Sequence, residues 1–143
     1  MVFNRGAIAD PDAFARDAEA ASWLFLCGDE FAAMDGGMSF AQVEAAVPVA
    51  TNVVSDPPVD FDLEIVQQNL DALDQLPRPT LVTCRTGPRS SAIVYLYAGL
   101  QSGASAEEVL ARADADDAPF TKVEAYREVV ARGLEELRPP GGS

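Results

Sequence analysis

The sequence contains no histidine, a single lysine and only two cysteines. Without histidine, the chain has no Ser-His-Asp triad, no Cys-His dyad and no metal site built on imidazole. The cysteines, Cys27 and Cys84, lie far apart and match no zinc-binding spacing, so we expect two free thiols in a reducing compartment. A nucleophile in this chain must therefore be activated by some means other than histidine.

The chain also lacks a long hydrophobic run and a surplus of positive charge. No apolar stretch approaches the roughly 18 residues that cross a bilayer, and residues 1–6 lack the layout of a secretion signal. The 23 acidic residues outweigh the 10 basic ones, for a formal net charge of -13, and this field opposes nucleic acids and anionic membranes. We expect a cytoplasmic protein that binds neither; the charge predicts no particular protein partner.

Segments with a strand pattern of apolar residues alternate with segments that have a helix pattern. The chain is long enough to form one hydrophobic core. The 143 residues correspond to about one domain. Short apolar or β-branched runs predict three strands, at residues 23–28, 49–54 and 80–83. Apolar residues three and four positions apart predict the helices between and after them, and capping boxes mark helix starts at Ser39 and Ser105. This order of elements predicts an α/β fold.

The two ends of the chain differ in composition from its centre. Residues 1–21 are rich in alanine and aspartate, and Pro11 is a helix-start signal, so we expect an N-terminal arm or short helix there. Residues 22–138 form the predicted domain. Proline, glycine and serine fill residues 139–143, which predicts a disordered tail.

The loop Cys84–Arg89, with the sequence Cys-Arg-Thr-Gly-Pro-Arg, follows the third predicted strand and precedes a helical pattern. In a strand-loop-helix unit, the loop amides and the helix N-terminus converge on one point and bind an anion. The same positive potential, together with Arg89, favours the thiolate of Cys84 without a histidine. Gly87 is expected to supply the bend that turns the amides inward. Cys84 is therefore the candidate nucleophile, and Arg89 is a candidate catalytic residue.

The remaining loop residues are the candidate anion-binding groups: Arg85, Thr86, Gly87, Pro88 and Ser90. Ser90 or Ser91 is also placed to donate a hydrogen bond to the sulfur. Arg85 either binds an anionic donor such as thiosulfate or projects into solvent, and the sequence leaves both roles open. The chemistry that this loop predicts requires no metal and no organic cofactor.

The segment 81–91, Leu-Val-Thr-Cys-Arg-Thr-Gly-Pro-Arg-Ser-Ser, resembles the active loop shared by rhodaneses and by the phosphatase-like domain fused to bacterial β-lactamase-fold sulfur dioxygenases. That domain belongs to the dual-specificity phosphatase superfold. The helices predicted after Gly103 are similar to those of dual-specificity phosphatases, whereas rhodaneses return a strand to the sheet. The resemblance implies a small central, mostly parallel sheet flanked by helices, over about residues 22–137.

The length of the loop favours sulfur transfer. Four residues separate Cys84 from Arg89, as in rhodaneses, and this is one fewer than in tyrosine-type phosphatases. A tighter loop suits a persulfide sulfur better than a tetrahedral phosphoryl group, which needs more donors for its three oxygens. The favoured hypothesis is a rhodanese-type sulfurtransferase that carries a sulfane sulfur as a persulfide on Cys84.

Two alternatives stay open, and all three hypotheses involve a small anion: a sulfane sulfur donor or a phosphate ester. A phosphatase would pass through a phosphocysteine on Cys84 and would need a general acid, for which Asp56 is the first candidate and Asp60 the second. Asp56 precedes a proline, where aspartate often serves as a turn residue. The other alternative is a catalytically silent anion-binding domain. Cys27, within an apolar run, is predicted to be a core residue rather than a resolving thiol.

Overall fold

Four short parallel strands form the centre of the fold in the computed structural model, which describes residues 1–137. The strands are β1 (Val2–Phe3), β2 (Ser22–Phe25), β3 (Val49–Asn52) and β4 (Thr80–Thr83). They lie in the order β1-β4-β2-β3, and each neighbouring pair is parallel. The predicted α/β fold with a small parallel sheet is confirmed.

Helices follow each strand and cover both faces of the sheet. They are α1 (Pro11–Asp17), α2 (Asp29–Ala32), α3 (Phe40–Ala46), α4 (Leu63–Asp74), α5 (Pro88–Ser102), α6 (Ala106–Ala115) and α7 (Glu124–Glu136), with a 3-10 turn at Pro119–Lys122. Both predicted capping boxes are present, with Ser39 and Ser105 accepting the backbone N–H three residues on. The predicted tail at 139–143, and residue 138 at the end of the predicted domain, lie outside the described residues.

The alternation of side chains along the buried strands divides the core into two layers. Leu24, Leu26 and Val82 face the layer that includes α4 and α5. Trp23 and Phe25 face the opposite layer, which includes α1, α2 and α3. Every residue of β2 and β4 is buried, as expected for central strands of a parallel sheet whose two faces are both covered. This burial makes the two strands a rigid support for the loops that follow them.

Strand β1 was not predicted from the sequence, because two residues are too few to show a periodic pattern. Val2 and Phe3 pair with Leu81 and Val82 of β4. Residues 1–21 thus supply a strand of the sheet as well as helix α1. The short helix α2 and the 3-10 turn were likewise not predicted.

The parallel direction of the strands determines where polar side chains can meet. Because all four strands run the same way, their carboxyl ends lie at one edge of the sheet, where ligands bind in open α/β folds. Asn4 follows β1, Gly28 follows β2 after two residues, Asp56 follows β3 after three, and Cys84 follows β4 directly. These residues come from distant parts of the sequence and converge on one site.

Candidate active site

The loop after β4 wraps around the sulfur of Cys84. Gly87 has a φ of 116°, in the left-handed region, and a Cβ on it would collide with the main-chain oxygen of Asn4. Glycine is therefore required there both for its conformation and for the close approach of another segment. Pro88 follows as the first residue of α5, where its missing N–H costs no helical hydrogen bond. The bend predicted at Gly87 is present.

The Cys84 side chain lies at the start of the 15-residue helix α5 and is 3% exposed. Its Sγ accepts hydrogen bonds from the backbone N–H groups of Gly87, at 3.1 Å, and Ser90, at 3.4 Å. The Cys84 thiol donates to the Oγ of Ser90 at 3.4 Å, and the Ser90 hydroxyl itself donates to Asn4, so the predicted donation from the Ser90 hydroxyl to the sulfur is not present. Donors aimed at the sulfur and the positive end of a helix dipole both stabilise a thiolate. The sulfur of Cys84 is thus surrounded by backbone donors and has no histidine beside it.

Three further amides of the loop are candidate donors to an anion. Within residues 1–137, the backbone N–H groups of Arg85, Thr86 and Arg89 donate to no protein acceptor. Pro88 has no N–H to contribute. A bound anion would supply the missing acceptor, as in other sites made of successive backbone amides.

Asn4 is one of the site residues that sequence analysis missed. It is 1% exposed, and its Nδ2 donates to the carbonyl oxygens of Cys84, at 2.9 Å, and Gly6, at 3.0 Å. Its Oδ1 accepts from the N–H of Cys84 at 3.2 Å and from the Oγ of Ser90 at 2.9 Å. The N–H of Gly6 also donates to the carbonyl of Thr86 at 2.7 Å. The N-terminal segment 4–6 therefore fixes the loop from behind.

The Arg89 guanidinium is held by the loop after β3 and by α7. Its Nε donates to the hydroxyl of Tyr126 at 2.8 Å, and its Nη1 donates to the carbonyls of Ser55 and of Val59, the latter at 2.8 Å. The group also lies over the rings of Phe61 and Tyr126, 5.5 and 5.6 Å from their centroids. Its Nη2 has no hydrogen-bond partner within residues 1–137. Arg89 is thus oriented by two nitrogens and has one left for a ligand.

Asp56 and Arg85 form an ion pair across the site. Arg85 Nε donates to Asp56 Oδ2 at 2.9 Å, and the N–H of Gly28 donates to Asp56 Oδ1 at 3.0 Å. Arg85 also donates to the carbonyl of Pro57 at 3.1 Å and lies 3.7 Å from the exposed carboxylate of Glu30. Of the two roles open for Arg85, projection into solvent is not seen, because the side chain is tied to the loop that holds Asp56.

A pocket of about 160 Å³ opens above the sulfur. It is lined by Asp56, Pro57, Cys84, Arg85, Thr86, Pro88, Arg89 and Tyr126. Most of the predicted site residues therefore meet in one cavity, together with Tyr126, which the sequence analysis did not single out. A larger depression of about 410 Å³ between β1, α5 and α6 lies apart from Cys84.

Four predicted residues do not line the pocket. Gly87 and Ser90 contact the sulfur from the protein side, and Ser90 is completely buried. Ser91 donates to the carbonyl of Pro88 and accepts from the N–H of Phe120, so its hydroxyl supports the 3-10 turn. Asp60, the second candidate acid, is exposed and lies outside the pocket lining.

Cys27 packs on the other face of the sheet from Cys84. The two side chains belong to different core clusters, and both thiols are free. Burial raises the pKa of the Cys27 thiol above its ordinary value, with the charge of Asp56 acting in the same direction. This agrees with the predicted core role.

Within residues 1–137, no cluster of three metal-ligating side chains occurs, and no helix is both long and apolar enough to cross a bilayer.

No protein family and no curated protein matches the chain in sequence. Solved structures do resemble it. The core catalytic domain of the PP-IP phosphatase SIW14 from S. cerevisiae, solved with citrate, has a TM-score of 0.61 and 15% identity, covering 94% of this chain and 79% of that one. A proposed phosphatase from Neisseria meningitidis has a TM-score of 0.63 and 20% identity, covering 92% of this chain and 91% of that one.

These likenesses show the fold. A second structure, of the Siw14 catalytic core, gives a TM-score of 0.56 at 13% identity, so all three neighbours indicate the same fold. The chain has a phosphatase-like α/β fold, as the resemblance of the loop and the downstream helices predicted. The link to domains fused to sulfur dioxygenases finds no support among these neighbours and stays a prediction.

Proposed function

We propose that the chain is a phosphate-ester phosphatase that acts through a phosphocysteine on Cys84. The observation that carries the proposal is that the Cys84 sulfur, which accepts two backbone N–H groups, belongs to a pocket that Arg85, Thr86 and Arg89 also line. The phosphatase-like fold supports phosphoryl rather than sulfur chemistry, since two of the neighbours carry the name phosphatase.

The reaction has two displacement steps at phosphorus. In the first, the thiolate attacks, an S–P bond forms, and the P–O bond to the leaving group breaks, so that the leaving oxygen takes the electron pair. In the second, water attacks the phosphocysteine, its proton passes to solvent, and the P–S bond breaks to return the thiolate and release phosphate. The loop amides and Arg89 stabilise the equatorial oxygens in both steps.

The hydrogen bonds of Arg89 give it a fixed position for this role. Tyr126 and the carbonyls of Ser55 and Val59 orient the guanidinium before substrate arrives. A preoriented donor needs no reorganisation when charge develops on the phosphoryl oxygens. Arg89 acts as the charged clamp, while Asn4 acts through the loop by fixing the main chain of Cys84.

Sulfur transfer, which the loop length favoured, is the second candidate. Four residues between Cys84 and Arg89 remain the observation in its support. The fold around the loop does not add to it, because the chain after α5 continues in the helices α6 and α7 and adds no strand to the sheet within residues 1–137. The comparisons thus favour the phosphatase alternative over the initial preference.

A paired assay on one preparation separates the candidates. The protein is incubated with 4-nitrophenyl phosphate, and in parallel with thiosulfate followed by mass spectrometry of the Cys84 peptide. We expect phosphate release and no added sulfur, with release abolished in Cys84→Ser and retained in Cys27→Ala, a matched cysteine on the opposite face of the sheet. An added sulfur without phosphate release would establish sulfur transfer. If neither signal is observed, the silent anion-binding domain is the hypothesis that remains.

A further inference from the structure

The hydrogen bonds of Asp56 bear on how the leaving group departs. Asp56 lines the same pocket as Cys84, so its position is one that a proton donor could occupy. Its side chain is nevertheless buried, with 4% exposure, and both of its oxygens accept hydrogen bonds from N–H groups. Both oxygens thus face N–H groups of the protein, and donation of a proton to a substrate would require Asp56 to turn away from at least one of these partners.

The partners that hold Asp56 are themselves fixed. Gly28 donates from the main chain at the end of β2, and Arg85 donates from the nucleophile loop. Arg85 is further held by the carbonyl of Pro57 and by Glu30. A buried carboxylate beside a guanidinium is costly to separate from it, because either charge alone would lack compensation. The pair therefore joins three loops at the site and keeps Asp56 an acceptor.

The other groups that could supply a proton are poorly suited to it. Asp60 is exposed and does not line the pocket. Tyr126 lines the pocket and its hydroxyl accepts from Arg89, but a phenol is a much weaker acid than a carboxyl group. The chain has no histidine to take the role.

We propose that this site cleaves phosphate compounds whose leaving oxygen departs as an anion, such as aryl phosphates of acidic phenols and acyl phosphates, and that Asp56 serves as the ion-pair partner of Arg85. The inference rests on the proposed phosphatase function and narrows its substrate class. The S–P bond forms as the P–O bond breaks, the leaving oxygen carries away the electron pair, and its proton comes afterwards from solvent. Alkyl phosphates, whose alkoxides are strong bases, are excluded as good substrates.

The test compares two aryl phosphates that differ in the basicity of the leaving group. The value of kcat/KM is measured for 4-nitrophenyl phosphate and for phenyl phosphate, since kcat/KM reports the step in which the leaving group departs, even when phosphocysteine hydrolysis limits kcat. Because a general acid contributes about 100-fold or more to such a step, we expect the wild-type protein to cleave phenyl phosphate roughly 100-fold less efficiently.

Asp56→Asn distinguishes the role of this carboxylate. We expect both kcat/KM values to fall by the same factor through the lost ion pair, which leaves their ratio unchanged. A wild-type ratio below about tenfold would overturn the inference. So would an Asp56→Asn variant that loses far more activity on phenyl phosphate than on 4-nitrophenyl phosphate, since Asp56 would then donate the proton. The wild-type ratio decides the matter even if the variant does not fold.

The failure of the inference is distinct from that of the proposed function. No Cys84-dependent phosphate release from either compound would overturn the phosphatase proposal, and the inference with it. Efficient release from both compounds would uphold the phosphatase and overturn only the narrower substrate class.

Discussion

Removal of the Asn4 side chain should weaken both the fold and the nucleophile loop. Asn4→Ala deletes four hydrogen bonds, two of them to the main chain of Cys84 and one to the hydroxyl of Ser90. At about 1 kcal/mol each, these bonds sum to a loss of about 4 kcal/mol in the free energy of unfolding. Alanine offers no replacement donor or acceptor, and the site is buried, with Asn4 only 1% exposed.

The assay is urea unfolding combined with kinetics on 4-nitrophenyl phosphate. We expect a lower midpoint at unchanged slope, because the loss is of native contacts and not of buried area. We also expect a fall in kcat/KM of about tenfold or more in conditions where the variant is fully folded, since a misplaced nucleophile loses part of its orientation.

Asn52→Ala is the matched control for this prediction. Its Nδ2 donates to the carbonyls of Phe25 and Cys27, at 2.8 and 3.0 Å, at the end of β2 and away from the loop. We expect about half the loss of stability and no loss of kcat/KM. A loss below about 1 kcal/mol for Asn4→Ala, or an equal fall in kcat/KM for Asn52→Ala, would refute the assigned role of Asn4.

Three further predictions follow from the site and the core. Gly87→Ala should abolish activity and lower the free energy of unfolding more than Gly103→Ala does. Gly103 is the control because it shares a left-handed φ but has open space where a Cβ would lie. Equal losses of stability in the two variants would mean that the collision at Gly87 is unimportant. Arg89→Lys keeps the charge but loses the Nε hydrogen bond to Tyr126 and the planar fork, so kcat/KM should fall about 100-fold, and a change below about threefold would contradict its clamp role. Burial raises the pKa of Tyr95 from 10.0 to about 12, so the folded state favours its protonated form. The contribution of Tyr95 to the free energy of unfolding is therefore complete below pH 10 and declines as the pH rises towards 12. Tyr95→Phe should reduce that alkaline decline in urea unfolding midpoints, and an unchanged decline would rule out its contribution.

The local features of the sequence predicted the order of strand, loop and helix around Cys84, because all the signals for such a unit are adjacent in the chain. The helix begins at Pro88, so the last two residues of the predicted loop belong to α5. The capping boxes at Ser39 and Ser105 are predictable for the same reason, since each joins residues three apart. The amphipathic pattern before Pro77 likewise predicted α4.

The features that the sequence did not reveal depend on contacts between distant segments. Asn4 follows a strand of two residues and binds Cys84 across a separation of 80 residues, so no local pattern marks it. Asp56 was predicted at the site, but its ion pair with Arg85 depends on the order in which β2, β3 and β4 lie in the sheet. The sequence leaves the choice between sulfur and phosphoryl chemistry open, because the loop length favours the first and the downstream helices and Asp56 favour the second.

The most direct test of the proposed chemistry is to trap the covalent intermediate. The protein is mixed with excess 4-nitrophenyl phosphate, quenched in acid within the first turnovers, digested, and analysed by mass spectrometry. We predict a phosphoryl group on the peptide that contains Cys84, absent from Cys84→Ser and present at the same level in Cys27→Ala. Phosphate release that continues in Cys84→Ser, or a phosphoryl group on another residue, would contradict the assignment of Cys84 as the nucleophile.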